Sequence, residues 1–284
     1  MTVSKDKEEG NEFEYFEERR GGEPKIEEEK IRPREDHFDP TEEYDDAAIF
    51  VVGHEVDKSE SKRDFEQKIS CGSSRDVNTL NHAGMTYLVS HRHGDPHRAF
   101  DFFLKASSRD SKALNNLAYC RVVGVGTEID EDRAFMDLQK ASKDFLPAVN
   151  NLAYCYLTGI GCERDEEEAV TLFRQASERG LVQATYNLAI CHNEGWGVEK
   201  NFEKSFKLFQ EASDREFPQA AVKVGISLKE GKGVEKDESA SFSYFLKAAE
   251  LGVIQGMLFV GEAYQEGVGV EKDLKEAFRW YKVN

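Results

Sequence analysis

The sequence predicts an all-α fold, an α-solenoid of tandem antiparallel helix pairs. Three observations predict it. Alanine recurs at Ala106, Ala141, Ala176, Ala212 and Ala248, in steps of 35, 35, 36 and 36 residues. A period of roughly 20–50 residues marks a fold stacked from copies of one unit. The phrase NNLAYC occupies residues 115–120 and returns at 150–155, with YNLAIC at 186–191. Five units also carry a pair of glycines followed by a helix-capping residue.

The phrase lies on the first helix of each unit. Its apolar column reads Leu117, Leu152, Leu188, Val224, Val260, and the next position is always small: Ala118, Ala153, Ala189, Gly225, Gly261. A large residue beside a small one lets a neighbouring helix approach closely. The glycine pairs are Gly124/Gly126, Gly159/Gly161, Gly195/Gly197, Gly231/Gly233 and Gly267/Gly269. The first of each pair suits a left-handed helix stop, and the second permits the chain to reverse.

The second helix then starts on Asp130, Asp165, Asn201, Asp237 or Asp273, each a strong N-cap residue. Asp165 with Glu168, and Asp273 with Glu276, have the spacing of a capping box. The helix continues with small, bulky and small columns at i, i+4 and i+7, which share one face. They run Ala99, Ala134, Ala169, Ser205, Ser241, Ala277, then Phe103, Leu138, Phe173, Phe209, Phe245, Tyr281, then the alanines above. Stop, turn, cap and stripe agree in unit after unit, which is the consistency a specified fold requires.

Both ends depart from the pattern. The first unit lacks the glycine pair, although Asp95-Pro96 still supplies a cap and a proline at the first helical position. Upstream, KRDFEQKIS at 62–70 reads as one more helix, a cap on the array. The last unit finishes at FRWYKVN with no polar helix behind it, which would leave Phe278 and Tyr281 partly exposed. An uncovered end unit implies either a longer array or an end that binds something, including a second copy of itself. The organisation expected is therefore a tail over 1–46, a linker with the capping helix over 47–77, and an array of about six units, the last incomplete, over 78–284.

The tail is set apart by charge. Residues 1–46 hold 18 acidic and 8 basic side chains, a net of −10 out of −17 for the chain. Stretches such as EFEYFEERRGG and EEEK offer little apolar surface to offset the entropy of ordering, so a disordered acidic tail is expected. Such a tail repels nucleic acid and anionic membranes, and favours basic protein partners or simply solubility. No secretory signal opens the sequence, no run approaches 18 apolar residues, and the cysteine count is five. An odd count of free thiols fits a reducing compartment, so the expected location is the cytoplasm, with the nucleus also open.

Cys120, Cys155 and Cys191 form one column that continues as Ser227 and Ala263. Cysteine alternating with other small residues is a packing position. Equivalent residues in stacked units lie about 8–10 Å apart, beyond the roughly 7 Å a disulfide tolerates. A zinc site needs four ligands around one point, which a single column does not supply. His91, His93 and His97 have loop-like spacing with no accompanying acidic or cysteine ligands, so no metal and no cofactor is expected. The glycine pairs lack the third glycine of a dinucleotide loop and the Gly-Lys-Ser/Thr of a P-loop. No nucleophile–base signature stands out, and catalysis is not expected.

Taken together, the NLA-C phrase, the glycine pair, the cap and the Ala…Phe…Ala stripe resemble the Sel1-like repeat, a relative of the tetratricopeptide repeat with a longer inter-helix turn. The resemblance is fullest over 148–183 and 220–255 and spans about 78–284, with the first unit closer to an ordinary tetratricopeptide repeat. It implies a curved stack whose first helices line a concave binding surface. It implies that helix-A asparagines Asn116, Asn151 and Asn187, continued by Lys223, hold the backbone of an extended peptide, with Tyr119 and Tyr154 adding apolar contact. The alternative for those asparagines is a bond to the neighbouring helix's backbone. Secreted bacterial members of the family carry paired cysteines within each unit, and this chain does not. The functional expectation is a non-catalytic scaffold or adaptor with a protein or peptide partner. The alternatives are a regulatory subunit of a degradation or stress-signalling complex, or a Sel1-like hydrolase.

Overall fold

The computed structural model describes residues 76–89 and 95–282. The acidic tail over 1–46, the segment proposed as a capping helix at 62–70, and His91 and His93 lie outside the described residues. Among those described there are twelve α-helices and no strand. Six first helices alternate with six second helices in chain order. The first helices are α1 (Val77–Val89), α3 (Ser111–Val123), α5 (Leu146–Thr158), α7 (Val182–Glu194), α9 (Pro218–Glu230) and α11 (Ile254–Glu266). The second helices are α2 (Pro96–Ala106), α4 (Glu131–Ala141), α6 (Glu166–Glu178), α8 (Phe202–Asp214), α10 (Glu238–Glu250) and α12 (Leu274–Lys282). Each helix packs on its chain neighbours, so the pairs stack into a solenoid.

The turn inside each of the last five units is one geometry repeated. Gly124, Gly159, Gly195, Gly231 and Gly267 all hold φ between 71° and 81°, ending the first helix in the left-handed region. The carbonyl of the cysteine column closes that stop. Cys155, for example, accepts from Gly159 at 2.7 Å and from Ile160 at 3.1 Å. Ser227 and Ala263 do the same in their units, so the column serves the turn through its backbone whatever the side chain. The N-cap residue then sends its own N–H back to the first helix, as in Asp165 to the Tyr156 carbonyl at 2.8 Å.

Asp95, Asp130, Asp165, Asn201, Asp237 and Asp273 each accept the expected capping hydrogen bond, at 2.8–3.2 Å. The capping boxes form only by half. The N–H that Glu168 or Glu276 would have reached is already donated to Tyr156 or Tyr264.

The second glycine of each pair does more than reverse the chain. It lies against the first turn of the preceding unit's second helix. A Cβ built on Gly161 would stand 2.1 Å from the Glu131 carbonyl oxygen, and one on Gly233 would stand 2.2 Å from that of Phe202. This contact joins units rather than helices within a unit. No side chain of any size fits there.

The core runs along the interface of the two helix rows. Phe103, Leu138, Phe173, Phe209 and Phe245 are buried, as are the alanines of the flanking columns. Where serine replaces alanine, its hydroxyl is satisfied across the helix pair: Ser205 donates to the Ala189 carbonyl at 2.9 Å and Ser241 to that of Gly225 at 2.7 Å. At the C-terminal end the stripe is uncovered, with Phe278 67% and Leu274 62% exposed. Phe135 and Phe242, the equivalents of Phe278 in inner units, are met edge-on by Tyr156 and Tyr264 of the following first helix.

Candidate functional site

The first helices lie side by side, and their asparagines meet. Asn187 donates through Nδ2 to Asn150 Oδ1 at 2.8 Å. Asn150 donates to its chain neighbour Asn151 at 3.3 Å, and Asn151 to Asn115 at 2.7 Å. Asn115 donates to Asn116 at 3.3 Å, and Asn116 to Asn81 at 3.0 Å. Six amides on α7, α5, α3 and α1 thus form one unbroken chain, with every link donating in the same direction. Asn116 Nδ2 also lies 3.4 Å from the Met85 sulfur. Amides aligned head to tail polarise one another, so the chain is stronger than isolated pairs.

Asn116, Asn151 and Asn187 were expected either to hold a ligand or to bond the neighbouring helix's backbone. The structure places all three in the buried chain, bonded to neighbouring side chains. Asn81, Asn115 and Asn150 complete it, and none of these was singled out from the sequence. The NN doublets at 115–116 and 150–151 were the available signal. One residue of each doublet accepts from the following unit, and the other donates to the preceding one. Tyr119 is buried with Met85, Phe103 and Leu117. Tyr154 is half-buried beside the Ala153–Phe173 cluster. Lys223 is half-buried on α9, at the register that Asn187 holds on α7, and the amide chain does not extend to it.

The cysteine column is buried. Cys120, Cys155 and Cys191 are free thiols. Burial pushes Cys120 and Cys191 up to about 12 and raises Cys155 further. Thiols held protonated in this way are poor nucleophiles and poor metal ligands. Cys162 is half-buried, with its Sγ 3.5 Å from the Cys155 carbonyl oxygen. Among the described residues no group of three His, Cys, Asp or Glu side chains is arranged to hold a metal ion. His97 Nδ1 lies 3.0 Å from the Gly126 carbonyl, in a contact between the first two units. No helix among the described residues is long and apolar enough to cross a membrane.

Charge is distributed unevenly between the two rows. α1, α3 and α5 contain no Asp or Glu, α7 and α9 carry one each, Glu194 and Glu230, at their last residues, and α11 carries Glu262 and Glu266. By contrast, α6 alone holds Glu166, Glu167, Glu168 and Glu178. In a chain with 55 acidic residues, the face lined by these first helices is almost free of them.

Helix pairs stacked at this period, with a left-handed glycine stop, define an α-solenoid interaction repeat. The family model for the Sel1 repeat matches residues 87–111, 111–144, 146–181, 182–217, 218–253 and 254–282. The chain belongs to the Sel1 repeat family, whose members are generally non-catalytic protein-interaction scaffolds. Solved structures share the fold. A Sel1 repeat protein from Oxalobacter formigenes matches with a TM-score of 0.68 and 24% identity, over 78% of this chain and 93% of that one. A protective antigen present in uropathogenic Escherichia coli strains, displaying an SLR fold, matches with a TM-score of 0.61 and 24% identity. That match covers 78% of this chain and 48% of the antigen, so the chain spans about half the antigen's length. No curated protein matches the chain.

Proposed function

We propose that the array is a non-catalytic adaptor whose face of first helices holds an extended segment of a protein partner. The observation that carries this reading is the asparagine chain. It sets a row of amides at one-unit spacing, all in a single orientation. An amide carries two donors and an acceptor, so a fixed row of them is a template for main-chain groups whatever the partner's side chains. Amides already held in place lose little freedom on binding, which raises affinity. Tyr154 and Lys223 flank the row and supply side-chain discrimination.

The test is capture of a partner by the wild-type chain, by Asn116→Ala/Asn151→Ala/Asn187→Ala, and by Tyr154→Ala/Lys223→Ala, which leaves the buried amides intact. Circular dichroism checks that each variant folds. Loss of the same partner from both folded variants supports the reading, and retention by both overturns it. Self-association, where it occurs, is proposed to use the uncovered α12 stripe. Phe278→Glu would then abolish a dimer seen by light scattering.

A further inference from the structure

We propose that the cleft over α3, between the C-terminal ends of α2 and α4, binds a small organic zwitterion with two carboxylates and one ammonium, as an acidic amino acid has. The cleft has a volume of about 540 Å³, within the roughly 300–1,000 Å³ of small-molecule sites. Its floor is one face of α3, where Leu114, Leu117 and Arg121 follow one another at i, i+3 and i+7. The turn before α3 forms one wall, and the end of α4 forms the other. None of the linked asparagines lines it, so the site stands apart from the peptide-holding reading above. Three observations carry the proposal.

The first is a missing plug. The residue before each later first helix is apolar: Phe145, Leu181, Phe217 and Val253. Each packs into the core of its unit. Before α3 the same place holds Asp110. Arg121 and Asp137 likewise stand where the next unit packs Tyr156 and Leu172. Two aromatics and a leucine thus give way to three charged side chains around a single cleft.

The second is that these exchanges do not serve stability. One oxygen of Asp110 caps α3, accepting from the Lys112 N–H at 3.0 Å. The other is buried and accepts no hydrogen bond, which is a cost to folding. The Arg121–Asp137 pair is largely buried, and removing two charges from water offsets what their attraction returns. Departures of this kind from an otherwise consistent pattern concentrate at functional sites.

The third is the charge left over. With Asp110 capping α3 and Asp137 paired to Arg121, the other ionic side chains on the cleft are Arg109, Lys140 and Asp144. All three are exposed, and none makes an ion pair or a side-chain hydrogen bond among the described residues. Two cations and one carboxylate are the complement of two carboxylates and one ammonium. The guanidinium fork and the lysine ammonium suit carboxylate oxygens, and Asp144 suits the ligand's ammonium. Leu104, 46% exposed, and Leu114 offer apolar surface to a short carbon chain between those charges.

The experiment titrates the full chain with L-glutamate and, separately, with glutarate, which keeps both carboxylates and lacks the ammonium. Binding is read by isothermal calorimetry and saturation-transfer NMR. L-Glutamate should bind with a dissociation constant of about 1 mM or tighter, ordinary for a ligand of about ten heavy atoms. Glutarate should bind about 10-fold more weakly, for want of one charge-assisted contact. Asp144→Asn should abolish that difference. Arg109→Gln/Lys140→Gln should weaken both ligands by about 10-fold or more. These side chains are exposed, so both variants should keep the wild-type melting temperature. Asp110→Phe/Arg121→Tyr/Asp137→Leu installs what the next unit packs, and should close the cleft and abolish binding with helix content unchanged. Absence of saturable L-glutamate binding up to about 10 mM, ten times the expected constant, overturns the proposal. So does equal affinity for glutarate, or binding that survives unchanged in Arg109→Gln/Lys140→Gln or in the triple variant.

Discussion

Asn151 donates to Asn115 at 2.7 Å across a separation of 36 residues. The period between these two units is 35, so the bond runs diagonally, one position off the repeat. Because Asn115 in turn donates to Asn116, and Asn116 to Asn81, loss of one amide is felt by its neighbours. Asn151→Ala removes the hydrogen bond to the Asn115 carbonyl and the one from Asn150. A buried hydrogen bond contributes about 0.5–1.5 kcal/mol net, so the expected outcome is a fall of about 1–3 kcal/mol in urea-unfolding stability. Asn116→Ala should interact non-additively with it in a double-mutant cycle. Independent, additive effects would show that the amides are not one chain.

Gly225 faces Phe245 so closely that a Cβ there would stand 2.5 Å from the ring. In the same column Ala118, Ala153 and Ala189 are accommodated, the first of them opposite Leu138 rather than an aromatic. Gly225→Ala should therefore destabilise by about 1–3 kcal/mol through overpacking, despite alanine's better helix propensity. Phe245→Leu should restore part of the loss in the double variant, copying the Ala118/Leu138 pair. A stabilising Gly225→Ala, measured by thermal unfolding, would contradict the packing described.

These two cases show what the residue pattern conveys and what it withholds. Periodicity is sufficient for the helix pairs, caps and glycine stops, because those features are local and each residue type has one dominant backbone reason for its place. The alanine, phenylalanine and leucine columns announce the core for the same reason. The asparagine chain is different. Asn116, Asn151 and Asn187 stand out as a column, but the bonds of Asn151 and Asn187 run diagonally, to Asn115 and Asn150, one position off that column. A diagonal between units depends on how far one helix is rotated against the next, which the period alone does not encode. The seat of Gly161 on the Glu131 carbonyl was hidden likewise, since a turn glycine already has a sufficient local explanation. The half-made capping boxes reflect a longer-range competitor, the Tyr156 or Tyr264 carbonyl.

Glu216 is the one non-glycine residue among those described with positive φ, at 61°. Its equivalents one period away on either side are Gly180 at 93° and Gly252 at 89°. A residue with a Cβ is disfavoured there by about 1 kcal/mol. Glu216→Gly should raise thermal stability by up to that amount without altering the helix content seen by circular dichroism. A lower melting temperature would mean that the Glu216 side chain contributes more than its backbone costs.

His192 is buried on α7, and neither ring nitrogen reaches a hydrogen-bond partner. Burial pushes its pKa below the ordinary histidine range, helped by Lys204 and Arg174. A weak polar contact with the Glu199 backbone, too poor in geometry to satisfy the ring, works in the opposite direction. In the unfolded chain the ring takes up a proton near pH 6.5. A group whose folded pKa is depressed is matched in both states at high pH, and costs stability as pH falls through the unfolded value. Unfolding midpoints should therefore drop from pH 7.5 to pH 5.5 more steeply in the wild type than in His192→Leu, which copies Leu228 in the next unit. Parallel pH profiles for the two proteins would remove His192 from the account.

Arg121 and Asp137 form an ion pair with side chains only 13% and 11% exposed. The equivalent positions one unit on are Tyr156 and Leu172, and two units further Leu228 and Tyr244. Burial raises the pKa of Asp137 even though Arg121 works to lower it, so desolvation outweighs the attraction. The folded state therefore bears a cost for keeping this carboxylate charged at neutral pH. It follows that the pair is required only as a pair. Asp137→Leu alone strands a buried guanidinium beneath the Phe100 ring and should destabilise by about 3–5 kcal/mol. Arg121→Tyr/Asp137→Leu installs the side chains that the next unit already packs, and should be neutral or stabilising by about 1–4 kcal/mol in urea titration. If the double variant is instead as unstable as the single one, the charges are supporting a contact that the apolar side chains of the next unit cannot replace.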